Sequence, residues 1–375
     1  MKEKLTIKKV LIFVILLALG AIFGYFLGKM LASGNALKVD FSPLAATMLI
    51  VPIFLFVVAW HEAGHALAGV AQGFDFKMYV VGPFLWEKQQ EKWRFKWNTD
   101  LNKSGGLVVC LPKTNKDLIP KFSFFVMAGP VASLLLSLFC LLIFWLLPKR
   151  AEGVSLFDFF LVASAAISLL IFVSTIIPSQ MGGFYSDGAR FLRLRKGGDV
   201  SKFEVLILSI ISSATSGIRP KLLDISMLEQ AQSLATKLNE PFGIYIQGYF
   251  YQRAFDNGDI DQAEKHLLEY INQAPNISEG LRNGVWLDAA FFYACAKKDI
   301  TKANYYWAMF KPSAIMPKAY ILATEASRYY LQNEKEKVIA YINLALAQLP
   351  NMMDRGFAIV LHEKLLLLKN ETENL

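Results

Sequence analysis

Leu44-Ala-Ala-Thr-Met-Leu-Ile-Val-Pro-Ile-Phe-Leu-Phe-Val-Val-Ala-Trp-His-Glu-Ala-Gly-His65 is an apolar run that ends in three ionisable side chains. A helix of about 20 residues crosses a hydrocarbon layer of ~30 Å, so the run reads as a membrane span carrying His61-Glu62-Ala63-Gly64-His65 at its end. On a helix the histidines at i and i+4 share one face, and both imidazoles reach a single metal ion. Glu62 beside them offers the carboxylate that takes a proton from a metal-activated water in a metalloprotease. A chance HExxH on a soluble surface helix is the ordinary alternative. Against it, the chain has only four histidines, and ionisable groups at membrane depth are costly enough to be functional by default. At 1.5 Å per residue His61 lies about 25 Å from Leu44, which is inner-leaflet depth.

The rest of the chain supports a membrane setting. It has 375 residues, 54% of them hydrophobic, and a mean hydropathy of +0.37, more apolar than one soluble core needs. Four stretches are long and uncharged enough to span a bilayer: 10–28, 41–60, 122–148 and 159–186. Lys2, Lys4, Lys8 and Lys9 precede the first, which has the look of a secretory signal, but its apolar run is long for that and reads as a retained anchor. Basic residues crowd segment 72–121, and Arg190, Arg193, Arg195 and Lys196 follow the fourth span. The excess of Lys and Arg on cytoplasmic segments puts both termini, and the ends of spans two and four, on the inner face. The net charge of +8 is thus a topology signal, and with no RNP, zinc-knuckle or basic-helix pattern no nucleic-acid partner is expected. Cys110, Cys140 and Cys295 form no CxxC pattern and read as free thiols.

Between spans two and three, strand-like pieces at 77–86, 92–97 and 105–111 suggest a β-hairpin or small sheet. From about residue 200 the membrane character fades, and three related joints recur: Gly258-Asp259-Ile260 to Ala263, Lys298-Asp299-Ile300 to Ala303, and Asn333-Glu334 to Val338. They suggest a stack of helical hairpins similar to tetratricopeptide repeats. His266 and His362 fall there and read as surface or packing residues. The expected fold is therefore mainly α: an N-terminal anchor helix (1–40), a polytopic membrane core (41–199) with a β insertion at about 72–120, and a cytoplasmic helical-repeat domain (200–375) suited to a protein partner.

Catalytic zinc usually takes three protein ligands, so a third is needed beyond His61 and His65. Asp187 emerges on the expected inner face and is followed by Gly188, which allows close backbone approach. Asp75 is the second candidate, and an N-cap to a helix from Gly188 to Leu194 is the other reading of Asp187. His61-Glu62-Ala63-Gly64-His65, Ala128-Gly129-Pro130 in the third span, and Pro178 with Asp187-Gly188 together make the chain resemble the site-2 protease family of intramembrane metalloproteases over residues 42–196. The resemblance implies a three-helix core, Zn2+ held by His61, His65 and Asp187, Glu62 as base, and a substrate that is a membrane-embedded segment cut near the cytoplasmic face. In family terms Thr175 stands where an asparagine is frequent, and the interval from Pro178 to Asp187 is long. A membrane-anchored adaptor, with the repeats binding a partner and the metal site structural or inactive, is the alternative. Metal transport is disfavoured, because spans three and four lack an acidic or histidine relay.

Overall fold

A computed structural model describes residues 42–89, 92–98, 106–113, 116–147, 155–181, 184–240, 243–276, 279–312 and 316–374. The expected anchor span at 10–28 lies outside them. Three described helices are long and apolar enough to cross a membrane: α1 (Pro43–Ala71), α2 (Leu118–Leu146) and α3 (Leu156–Ile176). Two of them depart from the expected limits. α1 carries both histidines, as expected, but runs on past His65 to Ala71, because nothing breaks it before Gly73, whose φ is +77°. α3 stops at Ile176, just ahead of Pro178, where residue 177 is already extended.

Helix contact in a bilayer relies on close packing of small residues, since lipid is as apolar as the helices themselves. Gly64 meets α2 in this way: a Cβ there would lie 2.6 Å from the Ala128 carbonyl oxygen and from the Ala132 Cβ. Ile53 and Val57 of α1 are fully buried in a cluster with Leu136 and Cys140 of α2 and Phe159 and Ala163 of α3. Leu135, Leu138, Phe139 and Trp145 point outward and are exposed, as lipid-facing residues would be.

Between α1 and α2 lie four strands, β1 (Asp75–Val81), β2 (Phe84–Gln89), β3 (Lys92–Trp97) and β4 (Leu107–Leu111), in the order β3-β2-β1-β4. The expected single strand at 77–86 is in fact two, divided at Gly82-Pro83 with Gly82 at φ +52°, a turn that proline and a left-handed glycine both favour. After α3 a short hairpin, β5 (Gln180–Met181) and β6 (Phe184–Tyr185), pairs Gln180 with Tyr185, and α4 (Asp187–Lys196) follows.

The chain divides into two compact units, drawn from the described parts of Met1–Leu85, Lys103–Cys110 and Pro120–Arg195, and of Trp86–Asn102, Leu111–Ile119 and Lys196–Leu375. The second holds α5 (Gly198–Ser216), α6 (Ile225–Leu238), α7 (Gly243–Asp256), α8 (Ile260–Gln273), α9 (Glu279–Cys295), α10 (Ile300–Met309), α11 (Lys318–Leu331), α12 (Lys335–Gln348) and α13 (Arg355–Glu373). The three recurring joints lie between α7 and α8, α9 and α10, and α11 and α12. Each turns on a left-handed residue, Gly258, Lys298 or Asn333. Each then buries a small side chain, Ala263, Ala303 or Val338, at 1% exposure or less. Asp259 and Asp299 cap the helices that follow. The large aromatic side chains Tyr251, Phe255, Phe291 and Phe292 fill the core of this array.

Candidate metal centre

α1 carries His61, Glu62 and His65 into the middle of the membrane unit, where all three are under 9% exposed. Each imidazole is held from its far side. His65 Nδ1 donates to the Phe125 carbonyl at 2.8 Å, which assigns the proton to Nδ1 because a carbonyl only accepts, and leaves the Nε2 lone pair free. His61 Nδ1 pairs with Ser133 Oγ at 2.9 Å, and Ser133 is itself fixed through its carbonyl, which accepts from Ser168 Oγ at 2.7 Å. Ring orientation by an outer carbonyl or hydroxyl is the usual support of a metal-ligating histidine. Gly129 makes the approach possible, for a Cβ there would stand 2.2 Å from His65 Nε2.

The carboxylate arrives from the other end of the unit. Ser186, not Asp187, caps α4: its Oγ accepts from the Ala189 amide at 3.3 Å and from the Ser179 amide at 3.0 Å, while donating to the Ile177 carbonyl at 2.8 Å. Asp187 in the first turn is therefore free of the capping role and turns to the imidazoles. Its Oδ2 lies 3.4 Å from His61 Nε2 and 3.4 Å from His65 Nε2. Gly188 lets α4 lie this close to the end of α3, since a Cβ would fall 1.8 Å from the Ile176 carbonyl oxygen. The long interval after Pro178 is taken up by the β5–β6 hairpin. Burial works to raise the Asp187 carboxyl, yet the two imidazoles beside it outweigh that and hold it at about 2. It faces the histidines as a carboxylate.

These three groups suit a divalent ion. Two Nε2 lone pairs and a carboxylate oxygen turned on one another repel unless a cation stands among them. Their 3.4 Å separations also match the roughly 3.3–3.4 Å between neighbouring N and O ligands around a tetrahedral ion with bonds of about 2.0–2.1 Å. His61, His65 and Asp187 are a group of metal-capable side chains whose ligand atoms all lie within 4.8 Å of one another. Asp75 does not join them and is ion-paired with Lys77 on β1. His266 is a packing residue, stacked on Phe250 at 5.1 Å.

Glu62 lies beside the trio and against the entry to β4. Gly106, at φ +117°, has no side chain to obstruct it; a Cβ would be 2.4 Å from Glu62 Oε1. A cavity of about 520 Å³ opens here, lined by His61, Glu62, His65 and Asp187, by Leu107 and Val108 of β4, and by Thr175, Tyr185 and Arg190. Thr175 donates its hydroxyl to the Ile171 carbonyl of its own helix at 2.8 Å, so it stands in this cavity with its proton engaged.

A family model for peptidase family M50 matches residues 49–355, from within α1 to the start of α13. The chain belongs to peptidase family M50. The resemblance to the site-2 protease family is thereby shown, and M50 membership with three membrane-capable helices supports a membrane-embedded metalloprotease in general terms. No curated protein and no solved structure matches the chain. Several features of this candidate site are silent in the residue pattern alone. Ser133, which with the Phe125 carbonyl aims the imidazoles, had as its one signal a serine in an apolar span that also holds Ser123 and Ser137. Gly106 and Arg190 carried none.

Proposed function

We propose that this M50 peptidase is a zinc endopeptidase that hydrolyses peptide bonds in membrane-embedded segments near the cytoplasmic face, with Glu62 as general base and His61, His65 and Asp187 as metal ligands. The observation that carries the reading is the approach of one Asp187 oxygen to 3.4 Å from both imidazole nitrogens, with Glu62 alongside. Zinc, when bound by these three residues, would supply Lewis acidity toward a water molecule and a carbonyl oxygen. Glu62 takes the proton from the attacking water and returns it to the leaving amine. β4 ends the sheet, and its Leu107 and Val108 line the cavity beside Glu62. A substrate strand added along β4 would present its extended backbone, and so its scissile carbonyl, to that carboxylate.

The helical unit is read as a tetratricopeptide-like array that binds a protein partner, its joints built alike around Ala263, Ala303 and Val338. Both termini are assigned to the cytoplasm from the distribution of basic residues. The test is to map new protein N-termini in the membrane fraction of cells carrying the active chain or Glu62→Gln. The proposal expects N-termini inside or next to membrane segments that depend on Glu62. Identical N-termini in both, from a purified chain that still holds zinc, would favour a membrane-anchored adaptor instead.

A further inference from the structure

A second cavity, of about 370 Å³, lies wholly within the helical unit among α5, α7, α8, α9 and the residue that caps α13. Its aliphatic wall is Ile207, Ile210 and Ile211 of α5 with Ile246 of α7; Tyr249 and Tyr270, the amide of Gln252, and the acidic Asp288 and Asp354 line the rest. Gly248 lets the Tyr270 ring lie close, for a Cβ there would stand 3.1 Å from it. Among the described residues, no lysine, arginine or histidine lines the space.

The two carboxyl groups lack what buried carboxylates usually have. Asp288 is 7% exposed. Its Oδ1 accepts from the Tyr320 hydroxyl at 2.8 Å, while Oδ2 has no hydrogen-bond partner among the described residues. Asp354 Oδ1 accepts from the Phe357 amide at 2.8 Å, capping α13. Neither is ion-paired among the described residues, although the chain carries 39 lysines and arginines. A buried carboxylate without a counter-charge is costly, and a cation beside it removes that cost. Tyrosine faces add attraction for an ammonium group, and the volume lies in the range of small-ligand sites.

We infer that this cavity binds a small organic ammonium, its charged head at the Asp288 and Asp354 carboxylates beside the tyrosine rings and its apolar body along the isoleucines of α5. The head can belong to a free amine or to the N-terminus of an apolar peptide. The chemistry at the site is the same for both.

Calorimetry at pH 8 on the full chain in detergent tests this, with butylamine as the probe and 1-butanol as its neutral match. Butylamine should bind one to one and raise the melting temperature, and 1-butanol should bind at least about tenfold more weakly. Asp288→Asn keeps an acceptor for Tyr320, and Asp354→Asn keeps a good helix cap. Each should weaken butylamine about tenfold and leave 1-butanol unchanged. The tetrapeptide Ile-Leu-Gly-Ser, free or N-acetylated, separates the sources: tighter binding than butylamine by the free peptide alone marks a peptide ligand, and butylamine binding without it marks a free amine. Equal binding of butylamine and 1-butanol, no binding of butylamine, or unchanged affinity in both variants would overturn the inference.

Discussion

Each proposed ligand side chain is held in place by a neighbour with no metal chemistry of its own. Ser133 and the Phe125 carbonyl fix the two imidazoles from behind, and Ser186 takes over the cap that would otherwise occupy Asp187. Ser133→Ala should therefore weaken zinc binding about 10–100-fold, as loss of an outer partner of a ligand does; competition with a fluorescent chelator measures it. Glu62→Gln should separate the roles, cutting turnover by about 10²–10⁴-fold while zinc stays bound. A loss of zinc equal to that of His61→Ala would place Glu62 among the ligands. The HExxH spacing made His61, Glu62 and His65 legible because it is a chemical requirement compressed into one helical turn. Ser133 lies 72 residues away, and no local pattern announces such a contact.

At the scale of elements, glycines decide whether the pieces that carry the proposed ligands can meet. Gly64 brings α1 onto α2, Gly129 admits the His65 ring, and Gly188 sets α4 against the end of α3. Gly188→Ala should push α4 away from Ile176 and take Asp187 out of range, so zinc content and proteolysis fall together; activity close to the unaltered chain would refute the close approach. The spans were readable from hydropathy, but their ends were not. α1 runs on past His65 to Ala71 because no breaker precedes Gly73, a continuation that the end of the apolar run does not mark. The strand at 77–86 was divided by a Gly-Pro turn that alternation alone passes over. The helical hairpins were visible through their joints, since a left-handed residue and a buried small side chain recur at each.

For the whole molecule, acid and metal should act on different units. In the helical unit, burial raises Asp288 to about 7, with Asp354 adding to the rise and the Tyr320 hydroxyl opposing it. An unfolded aspartate titrates near 3.9, so between about pH 4 and 7 the folded chain binds the extra proton. Stability is then full at the acid end of that window and falls as pH rises through about 7, by an amount on the order of a few kcal/mol. Thermal unfolding of the full chain from pH 5 to 8 should show this decline, and Asp288→Asn should flatten it. The membrane unit should respond to metal: a ligand that binds only the folded state stabilises it by mass action, so chelation should lower its melting temperature and leave that of Asp187→Ala nearly unchanged. The most direct test is zinc K-edge absorption on the purified full chain beside Asp187→Ala. The account predicts only nitrogen and oxygen neighbours at about 2.0–2.1 Å, two of them imidazoles, and an altered oxygen shell in the variant. A sulfur neighbour near 2.3 Å, or a spectrum indifferent to the loss of Asp187, would contradict it.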